Sequence, residues 1–217
     1  MLIIGHRGAA GIAPENTLAS LAAGIAAGVD MLEFDIRVTK DNIPILAHNA
    51  RQHGLTIRRH TISELREAGT ITLLTDVLDS FFSKTILNIE LKHEDSAVIV
   101  YNILQHYIVK KSDWDSVIFS SFRVKALRLL REQSDTVNLA LLQHANPFHF
   151  TLYHRELNFT AIGFHRLFAN SLAIATAKEL GIFTYAYTVN RAATATRLSR
   201  RGIDGIVTDY PNILIEN

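Results

Sequence analysis

The chain has 217 residues, of which 48% are hydrophobic and 20% are charged, a composition typical of a folded domain and not of a disordered one. Its 22 Lys and Arg residues nearly balance its 21 Asp and Glu residues, so the net charge of +1 predicts no nucleic-acid partner. The absence of cysteine excludes disulfides, a thiolate nucleophile and a sulfur-ligated metal centre.

Short β-branched runs alternate with helical patterns along nearly the whole chain, which predicts βα units around a parallel sheet. The predicted strands are 2–6, 31–38, 43–48, 85–91, 115–119, 137–142, 159–164, 182–188 and 204–208. Helical stripes of Leu, Ile, Val and Ala occupy segments between them. We expect Asn16 or Thr17 to cap the first helix and Gly28 to end it.

Nine strands are one more than an eight-stranded barrel holds. The four residues between 31–38 and 43–48 are too few for a parallel crossover. Strand 43–48 is therefore predicted to return antiparallel, as a short hairpin. The eight strands that remain predict a TIM (β/α)8 barrel in one domain over 1–217. Residues 49–75 contain no predicted strand, and we expect them to form a small excursion over the active-site face.

The apolar segments are too short to anchor the chain in a membrane. Three apolar residues before Gly5, without a basic region, do not resemble a secretory signal. The Ala- and Gly-rich stretch 18–32 carries Asp30 and falls short of the roughly 20 residues that a bilayer span needs. We therefore expect a cytoplasmic protein with no stable membrane insertion.

Two predicted strands carry acidic residues on the face that should be buried. In MLEFDIRV, alternation places Glu33 and Asp35 on one face and the apolar residues on the other. Because the apolar face must meet the helices, the acids point into the barrel. The same pattern in LNIELK sends Glu90 and Lys92 inward.

Buried carboxylates must take up protons or share a cation. Oxygen ligands of this kind suit Mg²⁺ or Ca²⁺, so Glu33, Asp35 and Glu90 are the predicted metal ligands. The alternative is that these acids form buried salt bridges with Arg7 and Lys92.

Two histidines are predicted to reach the same rim. A two-residue turn at Asp41–Asn42 would set His48 opposite Asp35 in the hairpin, and His6 ends the first strand beside the second. Two imidazoles on opposite sides of a substrate can divide the roles of acid and base.

Two cationic side chains complete a predicted site for an anionic diester. Arg7 offers a bidentate fork for phosphate, and Lys92 offers a point charge. The histidines at 144, 149, 154 and 165 lack metal-ligand spacing with a carboxylate, so we expect them to pack or to lie at the surface.

Several short motifs follow one another in a recognisable order. They are HRG at 6–8, PENT at 14–17, EFD at 33–35 followed by TKDN, ILAH at 45–48, IELK at 89–92, SSF at 120–122, YTVN at 187–190 and GIVTDYP at 205–211. In this order the chain resembles the glycerophosphodiester phosphodiesterase family, whose fold is a TIM barrel.

The resemblance implies hydrolysis of a small glycerophosphodiester to sn-glycerol 3-phosphate and an alcohol. It implies acid/base catalysis by His6 and His48, substrate contacts from Arg7, Lys92 and Tyr187, and one divalent cation, Mg²⁺ or Ca²⁺, on Glu33, Asp35 and Glu90.

The chain departs from the family pattern at two positions. Asn49 stands after the second histidine where the family usually has Asp, and Tyr187 stands where Trp is common. Two other functions stay open. One is a lysophospholipase D-type hydrolase, which would need an apolar groove near the mouth. The other is a phosphoester-binding protein that has lost turnover through Asn49.

Overall fold

A closed sheet of eight parallel strands forms the centre of the computed structural model, which describes residues 1–215. The strands are β1 (Leu2–Gly5), β2 (Met31–Val38), β3 (Pro44–Leu46), β4 (Arg51–Gln52), β5 (Leu55–Thr56), β6 (Ile86–Leu91), β7 (Val117–Ser121), β8 (Asn138–Gln143), β9 (Ala161–His165), β10 (Phe183–Tyr187) and β11 (Gly205–Thr208). Around the barrel the order is β1, β2, β6, β7, β8, β9, β10, β11, and β11 pairs with β1. The predicted TIM barrel is confirmed.

Helices follow most of these strands and cover the outside of the barrel. They are α1 (Leu18–Ala26), α2 (Ile62–Ala68), α3 (Leu74–Phe81), α4 (Ser96–Gln105), α5 (Val124–Gln133), α6 (His154–Leu157), α7 (Ser171–Glu179), α8 (Ala192–Arg200) and α9 (Pro211–Ile215). Within residues 1–215, no helix has the length and apolar character needed to cross a bilayer.

The two faces of β2 meet different surroundings, as the alternation predicts. Leu32, Phe34 and Ile36 are fully buried in the apolar layer between the sheet and the helices. Glu33 and Asp35 lie on the opposite face, inside the barrel, and are also buried. The fold therefore accepts two carboxylates where a barrel strand normally places aliphatic side chains.

The hairpin between β2 and β3 has a three-residue loop, so the predicted two-residue turn is wrong. Thr39 N donates to Ile43 O at 3.0 Å, which leaves 40–42 as the loop. Asn42 adopts a left-handed φ of 63°, as the last residue of such loops commonly does. The Thr39 hydroxyl stabilises the turn, since it donates to Asp41 Oδ1 at 2.6 Å and accepts from Ile43 N at 3.0 Å.

The extra loop residue shifts the predicted register by one position. Ile36 pairs with Leu46, and Ala47 N donates to Asp35 O at 3.0 Å. Ala47, and not His48, therefore lies beside Asp35 along the hairpin.

Residues 49–75 contain a small hairpin, so the prediction that they hold no strand is wrong. β4 and β5 pair over two residues each, too few to show an alternation in the sequence. Thr61 and Glu64 then form a capping box that begins α2. Ile57, Leu65 and Ile71 pack with the end of the β2–β3 hairpin in a small apolar cluster.

The turn after β1 depends on Gly8, where the chain passes close to α1. Gly8 has a φ of +88°, and a Cβ there would lie 2.1 Å from Ser20 Oγ and 2.6 Å from Leu21 N. The N-cap of α1 is Thr17, whose side chain accepts from Ser20 N. The first helix and the HRG turn are therefore fixed against each other.

We predict that Gly8→Ala lowers the free energy of unfolding by about 2–5 kcal/mol, from the left-handed backbone and the clash with α1. Gly181→Ala is the matched control: Gly181 has a φ of +71°, and a Cβ there would have no described atom within 4 Å. This control should cost about 1–2 kcal/mol. Urea unfolding measures both, and equal losses would contradict the close approach.

Candidate active site

A cavity of about 210 Å³ opens at the carboxyl ends of the barrel strands. It is lined by most of the residues that the sequence predicts for the site: His6, Arg7, Glu33, His48, Glu90, Lys92 and Tyr187. Asp35 is the remaining one, and it lies buried between Arg7 and Lys92. The structure thus brings the predicted residues together.

Three carboxylates converge at one end of this cavity. Asp35 on β2 pairs in register with Glu90 on β6, and Glu33 lies two residues earlier on β2. One oxygen from each acid lies within 4.8 Å of the others. The exposed fractions are 4% for Glu33, 1% for Asp35 and 8% for Glu90, so three negative groups share a region with little water.

Asp35 is the acid with the most partners. Lys92 Nζ lies 2.7 Å from Asp35 Oδ1, and Arg7 Nε lies 3.2 Å from Asp35 Oδ2. Asn16 donates to Oδ2 at 2.9 Å and accepts from the backbone N of Asp35 at 3.0 Å. Burial would raise the pKa of Asp35, but Lys92, Arg7 and Asn16 together lower it. Asp35 is therefore the acid of the cluster whose negative charge is best compensated.

Glu33 and Glu90 are less well compensated. Burial, with repulsion from Asp35, raises the pKa of Glu33 to about 8 and that of Glu90 to about 7. Lys92 Nζ contacts Glu90 Oε1. Glu33 Oε2 accepts from the backbone N of Arg7 at 2.8 Å, while Oε1 is buried without a hydrogen-bond partner among residues 1–215.

These contacts bear on the two alternatives for the acids, a bound cation and buried salt bridges. Salt bridges to Arg7 and Lys92 form, but they reach Asp35 and Glu90 and leave the side chain of Glu33 without a cation among residues 1–215. Three converging carboxylates, one with an unpaired oxygen, match the oxygen donor set of a divalent cation.

His6 is fixed by an acid that follows the last strand. Its Nδ1 lies 2.5 Å from Asp209 Oδ1, and Asn190 donates to Asp209 Oδ2 at 2.5 Å. Burial lowers the pKa of His6, but Asp209 and Glu33 outweigh burial and raise it. The sequence predicts no role for Asp209 or Asn190, although both lie in the motifs named above. Their positions just after β11 and β10 are the sequence feature that could have placed them at the cavity.

His48 has a different environment. Its Nδ1 lies 3.3 Å from Asn49 Oδ1, and the amide adds no charge. Burial lowers the pKa of His48, and Lys92 and Arg7 lower it further against the opposing effect of Asp35. Two imidazoles with oppositely shifted pKa values therefore line one cavity.

Arg7 is held between two acids in the turn after β1. Its Nη1 lies 2.6 Å from Glu15 Oε2, while Nε faces Asp35. The side chain lines the cavity beside Lys92, so two positive charges lie next to the carboxylates.

An aromatic wall bounds the other end of the cavity. Tyr187 donates from its hydroxyl to Gln143 O at 2.7 Å and meets Phe122 edge-on at 5.8 Å between ring centroids. His144 stacks on Phe122 at 5.0 Å and lines the cavity, a position beyond the packing role that the sequence predicts. The cavity thus has a charged end and an aromatic end.

A family model described as the glycerophosphoryl diester phosphodiesterase family matches residues 6–213. The chain belongs to this family. A glycerophosphodiester phosphodiesterase of Caldanaerobacter subterraneus subsp. tengcongensis is 27% identical over 238 residues, covering 99% of this chain and 96% of that protein. The YhdW protein of Bacillus subtilis is 31% identical over 242 residues, covering 100% and 98%.

Solved structures of glycerophosphodiester phosphodiesterases and related enzymes share the barrel. A phosphodiesterase of Oleispira antarctica, solved with the product sn-glycerol-3-phosphate, has a TM-score of 0.89 at 25% identity and covers 100% of this chain and 96% of its own. The glycerophosphodiester phosphodiesterase of Thermotoga maritima has a TM-score of 0.85 at 27% identity, covering 100% and 97%.

We predict that Asp209→Asn lowers the pKa of His6, because the imidazolium loses the carboxylate at its Nδ1. An NMR titration of the His6 ring, without added cation, measures the change. Asp204→Asn is the matched control, since Asp204 accepts from Thr184 N at 3.0 Å and Oγ1 at 2.7 Å at the opposite end of β11. An unchanged His6 pKa in Asp209→Asn would contradict the pairing.

The same pair predicts the pH dependence of stability. The folded-state pKa of His6 is raised above its ordinary 6.5, so its stabilisation is fully present below that pH and is lost as the pH rises through the folded value. Asp209→Asn should therefore cost more unfolding free energy near pH 6 than near pH 9, as urea unfolding at each pH measures.

Proposed function

We propose that the protein hydrolyses glycerophosphodiesters to sn-glycerol 3-phosphate and an alcohol, with His6 and His48 as the acid/base pair and one divalent cation, Mg²⁺ or Ca²⁺, on Glu33, Asp35 and Glu90. The observation that carries this proposal is the single cavity that holds two histidines with opposite pKa shifts beside the buried acids. The family supplies the substrate class.

The histidines supply the proton transfers. Asp209 occupies Nδ1 of His6, which leaves Nε2 as the nitrogen that exchanges a proton with the substrate. The raised pKa of His6 favours a bound proton and the lowered pKa of His48 favours an acceptor. One member of the pair can therefore give a proton while the other takes one.

The charged end of the cavity receives the phosphoryl group. Arg7 and Lys92 stabilise its negative charge, and Tyr187 bounds the organic part of the ligand. When bound, a divalent cation would supply a positive charge that polarises the phosphoryl oxygens and stabilises the charge developing on them. Glu33, Asp35 and Glu90 would hold this cation, since their oxygens form the cluster.

Lysophospholipase D activity is a second candidate, favoured by the apolar side chains beside the cavity. Phe122 and Phe168 are partly exposed. The centroid of the His165 ring lies 5.8 Å from that of Phe168 and 5.9 Å from that of Tyr187. A lipid-tailed diester could place its chain against these rings.

We predict that the protein releases sn-glycerol 3-phosphate from diesters of glycerol, inositol, choline or ethanolamine when Mg²⁺ or Ca²⁺ is added. A coupled assay for that product measures turnover, and a lysophospholipid in the same panel tests the second candidate. His6→Ala and His48→Ala should each lose about 10²- to 10⁴-fold in kcat. Binding of the diesters without turnover in the presence of either cation would contradict the proposed hydrolysis and support a phosphoester-binding protein.

We predict that Asn49→Asp raises the pKa of His48, because a carboxylate replaces the amide 3.3 Å from Nδ1. The limb of the pH–rate profile that reports His48 should move to higher pH. Asn146→Asp is the control, since Asn146 lies after β8 and hydrogen-bonds locally to Phe148 N at 3.0 Å. A profile that is identical in Asn49→Asp and the unmodified protein would contradict the contact.

A further inference from the structure

Arg37 holds the main chain of His48 with two converging hydrogen bonds. Its Nε donates to His48 O at 3.0 Å and its Nη2 donates to the same oxygen at 2.8 Å. Arg37 lies on β2 two residues after Asp35, on the strand face that carries the acids, and is half-buried. The guanidinium therefore lies at the mouth of the barrel.

The peptide after His48 needs this contact because the hairpin ladder has ended. β3 ends at Leu46, and the bond from Ala47 N to Asp35 O extends the pairing by one residue. The carbonyl of His48 accepts from the guanidinium beyond that point. A planar fork fixes the direction of an acceptor better than a single donor does.

Within residues 1–215, the ring of His48 has one side-chain hydrogen bond. This bond is the 3.3 Å contact between Nδ1 and the Asn49 amide. Arg37 is not among the described residues that line the cavity, so it reaches the site through the main chain of His48.

We propose that Arg37 is a positioning residue for His48, whose carbonyl it holds so that the imidazole faces the cavity. This inference rests on the proposed role of His48 in proton transfer. Misplacing a catalytic group by about 1 Å costs about 10²-fold in rate. Loss of the main-chain contact that holds His48 should therefore lower the rate measurably.

Arg37→Lys keeps the charge and removes the fork. We expect it to lower kcat by about 10- to 100-fold with little change in KM, because the substrate contacts of the cavity remain. An unchanged kcat would overturn the proposal.

Arg131→Lys is the matched control. Arg131 is also a half-buried arginine whose guanidinium donates to main-chain carbonyls, including Leu157 O at 3.0 Å and Ser134 O at 3.0 Å, and it lies outside the cavity lining described above. Its substitution should lower the stability and leave kcat unchanged. Equal losses of kcat in both lysine variants would make Arg37 merely structural and overturn the proposal.

A double-mutant cycle tests whether the effect of Arg37 on kcat depends on His48. In a His48→Ala background, Arg37→Lys should change kcat by less than about twofold, because residues that act as one unit are non-additive. A loss as large as in the unmodified background would show that Arg37 acts elsewhere and would overturn the proposal.

An NMR measurement tests the same claim without turnover. The His48 ring signals, assigned by their loss in His48→Ala, should shift in Arg37→Lys and stay in place in Arg131→Lys, while the His6 signals stay in place in both. If no diester is hydrolysed, the proposed function fails and this measurement still decides on Arg37. Unshifted His48 signals in Arg37→Lys would overturn the positioning role.

Discussion

Mutual repulsion among three buried carboxylates is the constraint on which the site depends. Glu33, Asp35 and Glu90 lie within reach of one ion and are almost removed from water, where unpaired charge is costly. Arg7 and Lys92 supply two positive charges against three negative ones. The balance must come from bound protons or from a cation.

The barrel topology brings two histidines to these acids. β1 pairs with both β2 and β11, so His6 after β1 meets Asp209 after β11 and lies beside the acids of β2. The return strand β3 pairs along the edge of β2 that β1 occupies further back, and it brings His48 to the same cavity. Closure of the barrel and the β2–β3 hairpin therefore bring two imidazoles to one cavity, although they lie far apart in the sequence.

Features that follow from period and spacing could be predicted from the sequence. The alternation in β2 and β6 identified the inward acids, and the short connection after β2 identified the antiparallel return. The hairpin register could not be predicted, because it depends on Asn42 adopting a left-handed conformation and on the Thr39 hydroxyl stabilising a three-residue loop. His48 nevertheless reaches the cavity, since the chain leaves the ladder after Ala47.

Side-chain partners that meet through tertiary structure were beyond a reading of the sequence. Asp209 reaches His6 across 203 positions of the chain, and Asn16 turned out to hold Asp35 where a helix cap was expected. Arg37 shares the face of Glu33 and Asp35, so the alternation could have placed it at the mouth. Its hydrogen bonds to the His48 carbonyl depend on the geometry of the hairpin, which cannot be predicted from residue spacing.

Calorimetric titration of Mg²⁺ or Ca²⁺ into the protein at pH 7 tests the cluster most directly. We predict one ion per chain, bound with release of protons because Glu33 and Glu90 have pKa values of about 8 and 7, and no binding in the folded Glu33→Gln/Glu90→Gln variant. Failure of the unmodified protein to bind either ion, or equal binding by the double variant, would contradict a cation site on these acids.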